Sequence, residues 1–118
     1  MGKPNNTLTL QGHLAYEPEL KKTSTGSFYC RVYVRIDESY TDLNTKKRVE
    51  RFQLIPVVVF GDEAKKICSK GNRNDPVKVV AHLSNNKFFD KDLNRETYVL
   101  QAQVSNSKDS IKLLFRKR

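Results

Sequence analysis

Tyr29, Arg31, Tyr33 and Arg35 occupy every second position of the run Phe28-Tyr-Cys-Arg-Val-Tyr-Val-Arg-Ile36. Alternate residues of a β-strand share a face. These four side chains would therefore stand together, with Phe28, Cys30, Val32, Val34 and Ile36 making an uncharged face behind them. A flat ring offers stacking surface to another flat ring, and a guanidinium pairs with phosphate or lies on a ring. That is the chemistry of holding a polymer of planar groups and regularly spaced anions. It contains no nucleophile and no general base. The same alternation also suits a half-buried strand whose polar face meets water, so the elements around it have to decide.

Net charge supports the first reading. Twenty-two Lys and Arg oppose 13 Asp and Glu in 118 residues, a formal charge of +9, and the sequence pI is near 9.7. Such a field attracts polyanions, nucleic acid foremost. A membrane partner is not expected: no apolar run approaches the roughly 20 residues of a span, and no basic amphipathic helix of useful length stands out. Met1 to Asn6 carries neither the apolar core of a secretory signal nor a myristoylation pattern. The expected setting is intracellular, cytoplasm or nucleoid. Cys30 and Cys68 are the two cysteines, far apart and without a Cys-x-x-Cys partner, and read as reduced thiols with no metal or redox task.

Enzymatic chemistry is not signalled. His13 and His82 lie in expected strands with no nearby cysteine or carboxylate cluster. There is no phosphate loop, zinc-protease helix or nucleophile elbow. Asp42, Asp62, Asp90 and Asp92 fall in expected turns or at a helix start. No catalytic residue, metal or cofactor is expected.

The positioning elements follow from periodicity. Strands are expected over Thr7–Leu14, with a bulge or bend at Gly12, over Phe28–Ile36, Phe52–Phe60, Val77–Leu83 and Thr97–Val104. In the last, Tyr98, Leu100, Ala102 and Val104 would face inward. Phe52–Phe60 is apolar on both faces, so one face needs a covering other than the core, and Pro56 favours an edge or irregular pairing there. Gly61–Gly71 reads as a short helix, with Asp62 and Glu63 at its positive end, Lys70 at the other, and Gly71 as a left-handed stop. Long connections fill residues 15–27, 38–51 and 84–96. The middle one looks like a hairpin with a basic tip around Lys47 and Arg48, and Tyr40 stands at its base.

An all-β chain with one short helix, placed between the third and fourth of five strands, has the order of a five-stranded OB-fold barrel. That fold binds nucleic-acid strands on its strand 2–3 face and in neighbouring loops. On this topology the Tyr29/Arg31/Tyr33/Arg35 face converges with Phe60, with Phe88 and Phe89, and with Lys21 and Lys22. Lys87 and Arg95 add charge to the loop after strand 4.

The chain also resembles a known family. Gly12-His-Leu-Ala-Tyr-Glu-Pro-Glu-Leu20 followed by Thr25-Gly26, then Val58-Val-Phe-Gly61 with Ala64, Lys70-Gly71 and Lys87-Phe-Phe-Asp-Lys91 follow, in order, the pattern of bacterial-type single-stranded DNA-binding proteins. The resemblance implies base stacking on Tyr40, Phe60 and Phe88. A further family stacking position matches Leu54, for which Phe52 or Tyr33 could substitute. It implies a homo-oligomer, a tetramer in preference to a dimer, that coats single-stranded DNA in replication, recombination or repair, with replication or repair proteins as further partners. The chain departs from the family in lacking an acidic C-terminal tip; it ends Phe115-Arg-Lys-Arg118. The expected organisation is a binding domain over residues 1–105 and a basic extension over 106–118. Two rival readings stay open: an OB domain that coats RNA, and a primosomal-type adaptor that docks a replication partner on its apolar third strand.

Overall fold

The computed structural model describes residues 4–114, apart from the side chain of Phe88. Its strands are β1 (Leu8–Leu14), β2 (Leu20–Lys22), β3 (Phe28–Asp37), β4 (Tyr40–Thr41), β5 (Arg48–Val49), β6 (Phe52–Phe60), β7 (Pro76–Asp90), β8 (Arg95–Val104) and β9 (Ser110–Leu113). The helix α1 (Asp62–Lys70) separates β6 from β7. The main sheet runs β1-β3-β6-β8-β7-β9, and β1 also pairs with β7. That last pairing closes β1, β3, β6, β8 and β7 into a barrel. β6 and β8 pair in parallel; the other pairs are antiparallel. This is the OB-fold barrel that the sequence predicts, with the helix between its third and fourth strands.

The barrel interior is filled from one face of each strand. Leu14, Cys30, Val32, Val34, Val57, Val59, Val77, Val79, Ala102 and Val104 are buried. β-branched side chains dominate, as suits a pleated wall packed on one side. The doubly apolar β6 resolves accordingly: Val57 and Val59 enter the core, whereas Phe52 and Leu54 on the other face are exposed. Pro56 sits where β6 pairs with β3 alone. Pairing with β8 begins only at Val57, so the missing N–H breaks no ladder.

β1 changes partners at its C-terminal end. It lies against β7 from Leu8 to His13 and against β3 at His13 and Leu14. At Gly12 a Cβ would collide with the carbonyl oxygen of Arg35. The glycine is what lets β1 and β3 approach there. α1 caps one end of the barrel with Ala64 and Ile67. Gly71 is not the left-handed stop expected from sequence; its φ is −84°. It is glycine for want of room, since a Cβ would lie 2.6 Å from the Ile67 carbonyl oxygen and 3.1 Å from Leu14 Cδ1.

Three further expectations change. Leu20–Lys22, inside an expected connection, pairs with Phe28–Cys30. Residues 84–96 are not a loop: β7 continues to Asp90, β8 starts at Arg95, and from Asn85 to Leu100 the two strands pair only with each other. The result is a two-stranded arm leaving the barrel. Tyr98 and Leu100 do share a face with Ala102 and Val104, but they lie beyond the barrel wall and are exposed rather than inward. The arm turns at an Asp90 carboxylate that accepts bonds from the Asp92 and Leu93 N–H groups.

Within the stretch read as a basic extension, Ser110–Leu113 forms β9 against β7 and Ile111 is buried. The loop before it is tied by Asp109. Its carboxylate lies 2.8 Å from His82 Nδ1 and accepts from the Ser105 and Asn106 N–H groups. His82 thus has a structural partner. Residues 115–118, the expected basic end, lie outside the described residues.

Candidate nucleic-acid interface

Residues paired across an antiparallel ladder point to the same side. The β3–β6 register sets Tyr29 opposite Phe60, Arg31 opposite Val58, Tyr33 opposite Pro56, Arg35 opposite Leu54 and Asp37 opposite Phe52. The alternation legible in β3 therefore meets a second apolar and aromatic row on β6, and together they make one outward face. Tyr29 and Phe60 have ring centroids 6.4 Å apart, tilted by 35°. At the far end the Arg35 guanidinium lies 4.4 Å from the centroid of Phe52.

The segment after β1 walls this face. The Ala15 N–H donates to the Tyr33 carbonyl oxygen at 2.8 Å, which holds Tyr16 against β3. The rings of Tyr16 and Tyr33 meet edge-to-face, 5.5 Å between centroids and 85° between planes. A cavity of about 280 Å³ opens beside them, with Glu17, Glu19 and Lys21 on one wall and Tyr29, Arg31 and Tyr33 as its floor. It continues past Tyr16 into a depression bounded by His13, Arg35, Phe52, Leu54 and Arg73. Beyond that lies a cavity of about 550 Å³ that reaches Arg48 and Arg51. Shared lining residues make these one groove crossing the outer face of β3 and β6.

Among the described residues its cations carry no ion pair. The ion pairs among the described residues are Glu63–Lys66, His82–Asp109 and Lys87–Glu96. None involves Lys21, Arg31, Arg35, Arg48, Arg51 or Arg73. Asp37, at the edge of the groove, has its pKa lowered, first by the hydroxyl of Ser39 and then by the Ser39 N–H. It stays ionised and fixes the turn into β4.

The structure sorts the sequence-derived candidates into three groups and leaves Lys22 outside all of them. Tyr29, Arg31, Tyr33, Arg35, Phe60, Lys21 and Arg48 line the groove or its ends. Tyr40 and Lys47 lie on the exposed β4–β5 hairpin with Arg48. Lys87, Phe89 and Arg95 belong to the β7–β8 arm, where Lys87 Nζ is 2.8 Å from Glu96 and Phe89 pairs with Glu96 in the ladder. The Phe88 backbone is in the same arm opposite Thr97; its side chain lies outside the described set. Lys22 is separated from Lys21. It pairs with Phe28, on the opposite side of the sheet from Tyr29, and its amine sits 5.1 Å over the Phe28 ring, with Lys65 4.4 Å from the same ring.

Tyr16, Arg51, Arg73 and His13 are groove residues that sequence reasoning did not single out. The signal for Tyr16 was an aromatic placed just after a strand that must adjoin strand 2. Arg73 carries no local signal, because α1 intervenes between it and the sheet.

Comparison with known proteins agrees with this geometry. No curated protein sequence matches the chain. Among solved structures it is similar to the Plasmodium falciparum SSB in complex with ssDNA: TM-score 0.76 at 19% identity, covering 98% of this chain and 99% of that one. A deletion mutant of the single-stranded DNA binding protein from Thermus aquaticus gives a TM-score of 0.73 at 16% identity, covering 94% of this chain and 51% of that one. At these identities the likeness is one of fold. The model of the single-strand binding protein family matches residues 5–110, and the chain belongs to that family.

Proposed function

We propose that this chain coats single-stranded DNA with little overall sequence preference, protecting it and keeping it unpaired during replication, recombination or repair inside the cell. Membership of the single-strand binding protein family supports the ligand class. The observation that carries the reading is the β3–β6 face: aromatic rings alternate with arginines that have no ion pair among the described residues. Rings of this kind stack bases of any identity, and unpaired cations neutralise phosphates. The work is binding, not turnover.

Tyr29, Tyr33 and Phe60 would stack bases along the floor, with Arg31, Arg35 and Lys21 on phosphates and Arg48 at the far end. Tyr40 and Lys47 on one hairpin, and Phe88, Phe89, Lys87 and Arg95 on the arm, would extend the path beyond the floor. Replication or repair proteins would act as further partners. A homo-oligomer, with a tetramer as its size, fits the arm: Leu83, Tyr98 and Leu100 share one of its faces and are exposed, and a second copy would cover them.

The test is a salt titration of binding to labelled oligo(dT), read by anisotropy. Phosphate-led coating gives a log–log slope of about −0.7 per neutralised phosphate. A flat response overturns the reading. Equal or tighter binding of oligo(U) shifts the ligand to RNA.

A further inference from the structure

Two carboxylates stand at the Tyr29 end of the groove, which phosphate binding alone would keep free of them; Asp37 and Glu50 line the far end. Glu17 and Glu19 line the same cavity of about 280 Å³ as Tyr16, Tyr29 and Tyr33. Lys21 and Arg31 line it too, yet among the described residues neither carboxylate is ion-paired. Glu17 accepts one long bond, 3.4 Å, from the backbone N–H of Arg73, whereas among the described residues no hydrogen bond or ion pair engages the Glu19 carboxylate, whose two oxygens are both open. A carboxylate accepts hydrogen bonds and donates none. It repels phosphate and welcomes N–H.

We infer that this end of the groove reads the edge of a stacked base and favours guanine. The inference rests on the single-strand reading above. Unpaired strands expose their Watson–Crick edges to side chains, and Glu or Asp accepts from base amino groups. Guanine presents two adjacent donors, N1–H and the 2-amino group, which match the two oxygens of one carboxylate. Adenine and cytosine each set an amino group beside a ring-nitrogen acceptor. Thymine flanks its N3–H with two carbonyl oxygens, which a carboxylate repels. A base lying on Tyr29 or Tyr33 turns its edge to the wall of the cavity, and Glu17 and Glu19 are on that wall. The protein thus coats any sequence through rings and arginines while this subsite grades the bases it holds.

The experiment compares oligo(dT) carrying isolated guanines with the same strand in which each guanine is replaced by hypoxanthine. Hypoxanthine keeps the ring and N1–H and loses only the 2-amino group. The wild-type protein is expected to bind the guanine strand roughly five- to tenfold more tightly. In a Glu17→Ala/Glu19→Ala double variant, affinity for plain oligo(dT) rises, because two repulsive charges are gone, and the guanine-to-hypoxanthine ratio falls to about one. Glu63→Gln, which also removes a negative charge but on α1, leaves the ratio as in wild type. The wild-type comparison needs no variant to fold. Tight binding of oligo(dT) with equal affinity for the guanine and hypoxanthine strands overturns this inference and leaves the coating function standing. Failure to bind any of the strands at low salt overturns the function beneath it.

Discussion

The Arg35 guanidinium packs on the Phe52 ring, 4.4 Å from its centroid, as a diagonal pair across β3 and β6. A long cation is thereby held at one place beside an exposed ring, and less side-chain entropy is lost when a phosphate arrives. Ring and cation should act as a unit. Phe52→Ala is expected to weaken oligo(dT) binding by about 1–3 kcal/mol. Arg35→Ala should flatten the salt slope by about 0.7. In a double-mutant cycle the pair should couple by roughly 0.5 kcal/mol or more. Strict additivity, measured by anisotropy at constant salt, would show that the contact does not matter for binding.

Tyr33 and Tyr16 make the second unit. Tyr33 is half-buried on the outer face, opposite Pro56 and outside the core cluster, so its loss should spare the fold. Tyr33→Ala is expected to reduce affinity by about 1–3 kcal/mol with a melting temperature close to wild type. Tyr16→Ala removes the edge-to-face partner and should give a smaller loss, of about 0.5–1.5 kcal/mol. Unchanged affinity in both variants would move base stacking away from this end of the groove.

What the sequence made legible, and what it hid, divides along physical lines. Strong alternation in Phe28–Ile36 and Val77–Leu83, and the charge pattern around Ala64 and Ile67, report the barrel strands and the helix, because local period reflects which face is buried. The β7–β8 arm was hidden. Ser84-Asn-Asn86 are poor strand formers, and their backbone is satisfied by Gln101, Leu100 and Val99 across the ladder, partners no local window contains. Tyr98 and Leu100 had the right parity and the wrong environment, since period cannot say where a barrel ends. Lys21 and Lys22 look interchangeable in sequence. Only the short pairing of β2 with β3 puts one in the groove and the other on Phe28. The groove floor was readable because it is a strand face; its wall, Tyr16 to Glu19, was not, because a loop's position depends on what it bonds to.

Ile111 tests where the domain ends. It is 6% exposed and belongs to the core cluster, although it lies beyond residue 105. Ile111→Ala should cost about 2–4 kcal/mol, measured by urea unfolding, whereas Lys112→Ala, on the exposed face of β9, should cost less than about 0.5 kcal/mol. If both are silent, the segment from Ser105 onward is an extension in energetic as well as sequence terms.

Cys30 gives a pH dependence whose sign can be worked out. Its side chain is fully buried on β3. Burial, followed by a hydrogen-bonding contact with the Cys68 thiol, raises its pKa from the ordinary 9.0 to about 12. In the unfolded chain the thiol releases its proton near the ordinary value; in the folded protein it keeps it. The folded form therefore binds more protons between those values, and stability falls as pH rises through that window. Below the ordinary value both states hold the proton and the contribution is complete. Urea midpoints should drop more steeply from pH 8 to pH 10 in wild type than in Cys30→Ala, which lacks the group but keeps every other titrating side chain. The alanine variant starts lower, because it opens a small cavity, so the slope and not the midpoint is the readout. Parallel slopes would mean that the folded thiol ionises as readily as the unfolded one. Alkylation at pH 8 gives an independent check: Cys68, only half-buried, should react while Cys30 stays unmodified until the protein unfolds.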